Sequence, residues 1–573
     1  MKELRFHWRH ELAASPAALW PLVANTDRFN RDTGVPPVEV LGTEPNARRR
    51  LRLRRLGVPV EWEEEPFEWL RPERFGVVRR FVRGPIAELR VQARLEERSG
   101  GGTNLDYEVR ARPRNLLGVL AAWVQIGLIS RIRFARAFRD YDRLAATEEE
   151  LERPARLAPG GGERLRRGAE ELRRRGLDPA LVEALVRLLK RGDEQALARL
   201  RPYELADAWQ AGRRESLELL LHATRTGLTD LRWELLCPSC RGAAAAAATL
   251  RELDSGVHCE TCGIDVRSDL DRSVEVTFAP SPSVRAVETR EFCVGGPQLS
   301  PHVVAQQLLG PGEQRRLTVQ LQPGTYRVRA LGEAGGDAFE ATGETVVTLA
   351  NDSERERLLR LERTEWRDRA ATAAEVTSLQ AFRDLFSTEV LRPGEPVSVG
   401  TLTVLFTDLR DSTRFYREVG DAPAFGSVMQ HLDVLREAVS SEGGAVVKAM
   451  GDAIMAVFTR PAAAVRAGLA AQRAVAGRPL ALKVGIHTGP CIAITQNDAL
   501  DYFGTTVNLA ARLVSLSTGA DIVVSGEVLA DPEVAELGLR REPIAASLKG
   551  FEGTFELWRC EAAAKQDASP GDS

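Results

Sequence analysis

From residue 400 to residue 562 the spacing of apolar residues switches repeatedly between a period of two and one of about 3.6. TLTVLFTDL reads as a strand, FGSVMQHLDVLREAVSSEG as a helix and AVVKAMGDAIMAVF as a hairpin. PAAAVRAGLAAQRAVAG reads as a second helix, LALKVGIHTG as a strand, TVNLAARLVSLST as a third helix and DIVVS as a strand. Elements in that order bury a sheet face under helices, which specifies an α/β sandwich of ferredoxin-like type. Asp408 ends the first apolar strand, and Asp452 sits in the Met-Gly-Asp turn of the hairpin. Two carboxylates converging from buried strands repel each other and are costly to ionise unless a cation lies between them. Hard oxygen donors of this kind suit Mg²⁺ or Mn²⁺ held beside substrate phosphates.

These residues carry a resemblance: the whole of 400–562 is similar to the catalytic domain of class III nucleotidyl cyclases, the adenylate and guanylate cyclases. The resemblance implies that Asp408 and Asp452 hold two metal ions per active site, with the backbone carbonyl of Leu409 completing one shell. One ion would activate the ribose 3′-hydroxyl and the other neutralise the triphosphate as pyrophosphate leaves. It also implies a catalytic pair, Asn508 and Arg512 in TVNLAARL, four residues apart and so on one helical face. Asn508 would orient the ribose, and Arg512 would stabilise charge growing on the α-phosphate.

Base choice follows from the same comparison. Lys448, four residues before Asp452, and Asp501, seven before Asn508, match the adenylate cyclase pattern; a guanylate cyclase typically carries Glu and Cys there. Lys448 would donate to adenine N1 and Asp501 accept from the 6-amino group, whereas guanine reverses both demands. Lys549, in SLKGF, resembles the family's late triphosphate-binding lysine. The family completes each site across two protomers, so a homodimer is implied. The expected reaction is conversion of ATP to 3′,5′-cyclic AMP and pyrophosphate. Two departures stand out: Asp411 replaces a glycine common in relatives, and CIAITQNDALDYFG lacks the usual glycine-rich turn ahead of Asp501. His487, on the apolar GIHTG strand, is expected to pack rather than catalyse.

The chain has 573 residues, enough for roughly four domains, and the expected class is multidomain α+β. Residues 1–147 give a strand, a helix, strand-like runs and a long closing amphipathic helix over 118–144, with five of the nine Trp. This part resembles START-like helix-grip domains, as in polyketide-cyclase-like proteins, and the resemblance implies a cavity for an apolar small molecule. Residues 160–235 read as helices that could include a winged helix-turn-helix. Cys237, Cys240, Cys259 and Cys262 are spaced C-x2-C-x18-C-x2-C, which marks 236–270 as a zinc ribbon with a closed four-thiolate structural Zn²⁺ site. His258, beside Cys259, is read as a bystander. Residues 271–362 read as a small antiparallel β module, 363–399 as a linker containing a helix over 372–386, and 563–573 as a polar tail. The helices, ribbon and β module together resemble an uncharacterised region found ahead of the catalytic domain in some bacterial cyclases.

A formal net charge of −3 removes the overall attraction a dedicated nucleic-acid binder would use. Seven Cys, four of them in the two CxxC pairs, fit a reducing compartment. The N-terminus lacks a signal-peptide apolar core, and the uncharged apolar stretch 115–130 is shorter than the ~20 residues that cross a bilayer. A cytoplasmic enzyme without a membrane span is therefore expected, regulated by its N-terminal region through the linker. Three rival readings remain: a guanylate cyclase, a catalytically degenerate cyclase-fold scaffold that dimerises and carries a ligand-binding domain, and a DNA-binding regulator.

Overall fold

The computed structural model describes residues 2–55, 57–147, 157–238, 241–254, 256–259, 264–270, 273–287, 290–333, 336–364, 370–392, 397–477, 480–548, 551 and 555–562. The polar tail, Cys240, Cys262 and Lys549 lie outside these residues.

Strand Leu4–Leu12 pairs with Thr103–Pro113, which pairs with Ile86–Glu97 and that in turn with Arg74–Phe81. Along Thr103–Pro113 buried residues alternate with partly buried ones and, at Arg112, an exposed one, the period-2 signature of a strand with one face in a core. That core is aromatic: Phe29 meets Phe134 and Phe138 at ring-centroid distances of 4.9 and 5.3 Å, and Tyr107 meets Phe134 at 5.2 Å. Nearby, a cavity lined by Leu51, Trp62, Arg79 and Phe292 measures about 20 Å³, room for about one water. The helix read at 118–144 runs from Leu116 to Ala146, with Trp123–Ser130 wound as a π-helix. It is long and apolar enough to cross a membrane by length and composition. Its second half instead closes the core through Phe138 and Tyr141, both fully buried.

The structure divides residues 271–362 differently from the turn spacing. Val274–Pro280 joins Thr229–Leu236 and Ala243–Ala247 in a three-stranded sheet on the helical region. The strands Val303–Leu309, Gln314–Ala330, Ala338–Ala350 and Arg357–Arg363 extend the N-terminal sheet to twelve strands. The join is short: Ala305 pairs with Leu70 and Gln306 with Trp69. Trp69 Nε1 donates to Val303 O at 3.0 Å and Gln306 Nε2 to Phe67 O at 2.6 Å. Sequence periodicity reports which face of a strand is buried but not which distant strand it pairs with.

The expected helix over 372–386 is two short helices, Ala373–Thr377 and Gln380–Leu385. The break has a local cause: Ser378 Oγ donates to Glu375 O, and Arg383 Nε donates to Thr377 O, so side chains take carbonyls that a continuous helix would use. Neither helix is a free lever. Ala373, Val376 and Phe382 are buried in one apolar cluster that runs from Leu165 and Leu189, through Trp233 and Phe278, to Val404, Phe406 and Met455.

The C-terminal region is an eight-stranded sheet ordered Ala445–Met450, Ala453–Phe458, Val397–Leu409, Leu482–Gln496, Ile522–Ser525, Leu557–Glu561, Arg540–Ile544, with Ala499–Phe503 added beside Leu482–Gln496. Leu405 and Leu409 point to the helices Asp421–Ser441 and Pro461–Val475. Leu402, Val404 and Phe406, on the opposite face, point to the linker and helical region. One strand thus serves two cores, and the N-terminal modules contribute part of the covering of the C-terminal sheet.

Candidate functional site

Asp408 is the penultimate residue of Val397–Leu409 and pairs in register with Lys483. Two residues earlier Phe406 pairs with Met455, which brings the end of this strand beside the turn that carries Asp452. Thr407 Oγ1 fixes that junction by accepting from Ile454 N at 3.1 Å. Met450 and Ala453 pair directly, so Gly451 and Asp452 alone make the reversal, and Gly451 takes φ +68°, a value side chains resist. Burial, then the neighbouring Asp452 charge, push the Asp408 carboxyl above its ordinary range, against a smaller opposing pull from Lys483. Asp452 Oδ2 is buried and has no hydrogen-bond partner among the described residues. Burial first, and the nearby Asp452 charge second, raise the Tyr416 hydroxyl pKa.

Asp408, whose charge is disfavoured by Asp452, and Asp452, with its orphaned buried oxygen, fit a divalent cation with oxygen ligands. Leu409 is buried.

Lys448 and Asp501 are brought together: Lys448 Nζ donates to Asp501 Oδ2 at 2.6 Å, with the lysine about a third exposed and the aspartate nearly buried. Asp501 Oδ1 accepts from Tyr502 N at 2.8 Å. The glycine-free turn ahead of Asp501 is a regular two-residue hairpin in which Asn497 and Asp498 take φ +52° and +56°. Asn and Asp tolerate this left-handed region better than other side chains, which is why no glycine is needed. Asp411 likewise sits at φ +60°, heading the helix Ser412–Val419, a left-handed conformation that Asp tolerates better than most side chains.

Asn508 and Arg512 are exposed on one face of Thr505–Leu513. Among the described residues no hydrogen bond or ion pair links them to Asp408 or Asp452 within the protomer. His487 packs: it is buried, its Nδ1 lies 2.7 Å from Ser525 Oγ, and burial lowers its pKa. Cys237 and Cys259 are buried in the apolar cluster of the helical region. Among the described residues no three His, Cys, Asp or Glu cluster as metal ligands. His258 Nδ1 lies 2.9 Å from Asp265 Oδ1.

The sequence reading missed the residues that grip the Lys448–Asp501 pair from outside the catalytic region. Gln380 Oε1 accepts from Val446 N at 2.8 Å, at a bulge two residues before Lys448. Arg383 Nη1 donates to Leu500 O at 3.0 Å and its guanidinium stacks over the Tyr502 ring. Tyr502 Oη donates to Thr377 Oγ1 at 3.1 Å. No motif marks these positions; the nearest signal is polar residues on an otherwise apolar helix.

Residues 395–537 match the family described as adenylate and guanylate cyclase catalytic domain, and residues 169–295 match a family of unknown function (DUF5939). The second match runs past residue 271, as the three-stranded sheet does. An uncharacterized protein of Mycobacterium tuberculosis is 33% identical over 156 residues, covering 25% of this chain and 52% of that protein. The adenylate cyclase of Schizosaccharomyces pombe is 28% identical over 159 residues, 23% of this chain and 9% of the relative. The chain thus spans about half the length of the first curated relatives it matches. Among solved structures, the adenylyl cyclase CyaB from P. aeruginosa is 24% identical, with a TM-score of 0.27 over 30% of this chain and 98% of that one. The C-terminal region of this chain is an adenylate and guanylate cyclase catalytic domain.

Proposed function

We propose that the chain is an adenylate cyclase that forms 3′,5′-cyclic AMP and pyrophosphate from ATP. The observation that carries the reading is the 2.6 Å Lys448–Asp501 pair, an ammonium donor next to a carboxylate acceptor. Adenine offers an acceptor at N1 and a donor at its 6-amino group, so this edge complements it; guanine offers a donor at N1 and an acceptor at O6. Asp408, Asp452 and the Leu409 carbonyl are the residues that would hold Mg²⁺ or Mn²⁺. Such ions, when bound, supply Lewis acidity that eases deprotonation of the 3′-hydroxyl and offsets charge on the departing pyrophosphate. Asn508 orients the ribose, Arg512 stabilises charge on the α-phosphate, and Lys549 binds the triphosphate. Exposure of Asn508 and Arg512 supports a site shared by two protomers, in which they meet the partner's carboxylates.

Regulation by the N-terminal modules is part of the proposal. The linker contacts both strands that carry the purine-reading pair, so a shift of the linker changes where Lys448 and Asp501 stand. Cys237, Cys240, Cys259 and Cys262 are proposed to hold a structural Zn²⁺ that ties the ribbon together; elemental analysis of purified protein should find one zinc per chain, lost in Cys237→Ser.

The test is a mixing experiment. Asp408→Ala and Arg512→Ala proteins are each expected to be inactive on ATP with Mn²⁺. Mixed, they form heterodimers with one intact site and recover cyclic AMP synthesis. Absence of recovery, with heterodimers demonstrated, would refute the shared site.

A further inference from the structure

The helix that closes the N-terminal sheet presents its apolar residues in an order opposite to that of a core helix. Over its first half, Leu116–Ser130, the inward face is made mostly of small residues, and the large buried aromatics Phe138 and Tyr141 come only later. A Cβ on Gly118 would lie 2.1 Å from Pro85 O, one on Gly127 would lie 3.0 Å from the Phe6 ring, and Ala122 is fully buried. The large apolar residues point out: Leu116, Leu117, Leu120, Trp123, Leu128 and Ile132 are 59–79% exposed. Burying the small side and exposing the large side gives up apolar burial that the fold could have used, so the outer stripe has another use.

Charge indicates its partner. Between Glu108 and Asp140 there is no acidic residue, while Arg110, Arg112, Arg114, Arg131, Arg133, Arg136 and Arg139 fall in that interval. Arg114 anchors the start of the helix by donating to the Phe81 and Val82 carbonyls, and Arg133 Nη1 donates to Thr33 O at 2.8 Å. Arg114 is also exposed at the start of the stripe, and Arg131 and Arg136 are exposed at its far end. Arg112 alternates to the sheet face opposite buried Ala111 and Pro113, where it pairs in register with Glu88. Because both ends are basic, pairing the stripe with its copy sets arginine against arginine in parallel or antiparallel orientation. A surface of anionic headgroups over acyl chains matches both the charge and the apolar stripe, with Trp123 suited to the boundary.

We propose that this stripe seats the chain on an anionic lipid bilayer, with the helix lying in the headgroup region rather than crossing. The inward face stays packed on the sheet through Ala122, Ile126, Ala137 and Phe138. This placement is independent of the reaction proposed above.

The test is sedimentation of the full chain with phosphatidylcholine vesicles, with or without roughly one-third phosphatidylglycerol. Binding is expected to the phosphatidylglycerol vesicles, to weaken with salt, and to be near background on phosphatidylcholine alone. Leu117→Asp with Leu120→Asp should lower the bound fraction about tenfold, as should Arg131→Glu with Arg136→Glu. Both pairs are exposed, and unchanged circular dichroism and turnover in free solution would show that the fold is intact. No binding to phosphatidylglycerol vesicles at low salt, or binding indifferent to both pairs, overturns the proposal. So does a lipid-free oligomer abolished by Leu117→Asp with Leu120→Asp, which would assign the stripe to a second copy.

Discussion

The proposed metal-facing and base-facing ends of the C-terminal region are held in opposite ways. At the first, Asp408 is pushed toward protonation by burial and by Asp452, and Asp452 keeps an oxygen without a partner. At the second, Asp501 has both oxygens engaged, and its strand and that of Lys448 are gripped by Gln380, Arg383 and Thr377. One end is left for a ligand to complete, whereas the other is already assembled. A fold can store specificity in a rigid polar pair, but charge neutralisation at a phosphate is best deferred until the substrate arrives.

The largest effect should come from breaking the unfinished end. Asp408→Ala should reduce cyclic AMP formation roughly thousandfold or more, measured as product per minute at saturating Mn²⁺. Next, exchanging the assembled pair, Lys448→Glu with Asp501→Cys, should lower kcat/KM for ATP about a hundredfold and raise it for GTP. Smaller is loosening the grip. Arg383→Ala should raise KM for ATP about three- to tenfold with less change in kcat, because it moves the proposed base readers and not the reacting atoms. If KM stays put while kcat falls, the linker acts elsewhere.

The smallest effect sharpens the comparison without catalysis. The Asp408 carboxyl is raised in the fold, so its ionised form is less favourable there than in the unfolded chain. The stability it contributes is present below the unfolded pKa and lost as pH rises through the folded one. Asp408→Asn should therefore raise the thermal midpoint of metal-free protein by about 1–2 °C at neutral pH, and by less in acid. The same substitution at the finished end, Asp501→Asn, should lower it.

Much of the candidate site was legible because its chemistry is local in sequence. Asp408 and Asp452 sit where apolar strands end, and Asn508 and Arg512 share a face by helical spacing alone. The two φ-positive turns were legible only as departures: the absence of glycine at Asp411 and at Asn497–Asp498 showed, but not that Asp and Asn side chains would accept the same backbone. What lay beyond reach was long-range pairing. Nothing in LRPGEPVSVG or TAAEVTSLQAFRDLF announces that Gln380 and Arg383 bond strands more than sixty residues away. Nor does the run VVAQQLL announce that Gln306 will face Trp69 and fuse two sheets. Polar side chains that bond distant backbone leave no periodic trace.

The most direct measurement offers purified full-length protein ATP and GTP separately, with Mn²⁺, and quantifies both cyclic nucleotides. The account predicts cyclic AMP at a kcat/KM at least about tenfold above that for cyclic GMP. Equal rates, a preference for GTP, or no cyclic product from a demonstrably dimeric protein would contradict it.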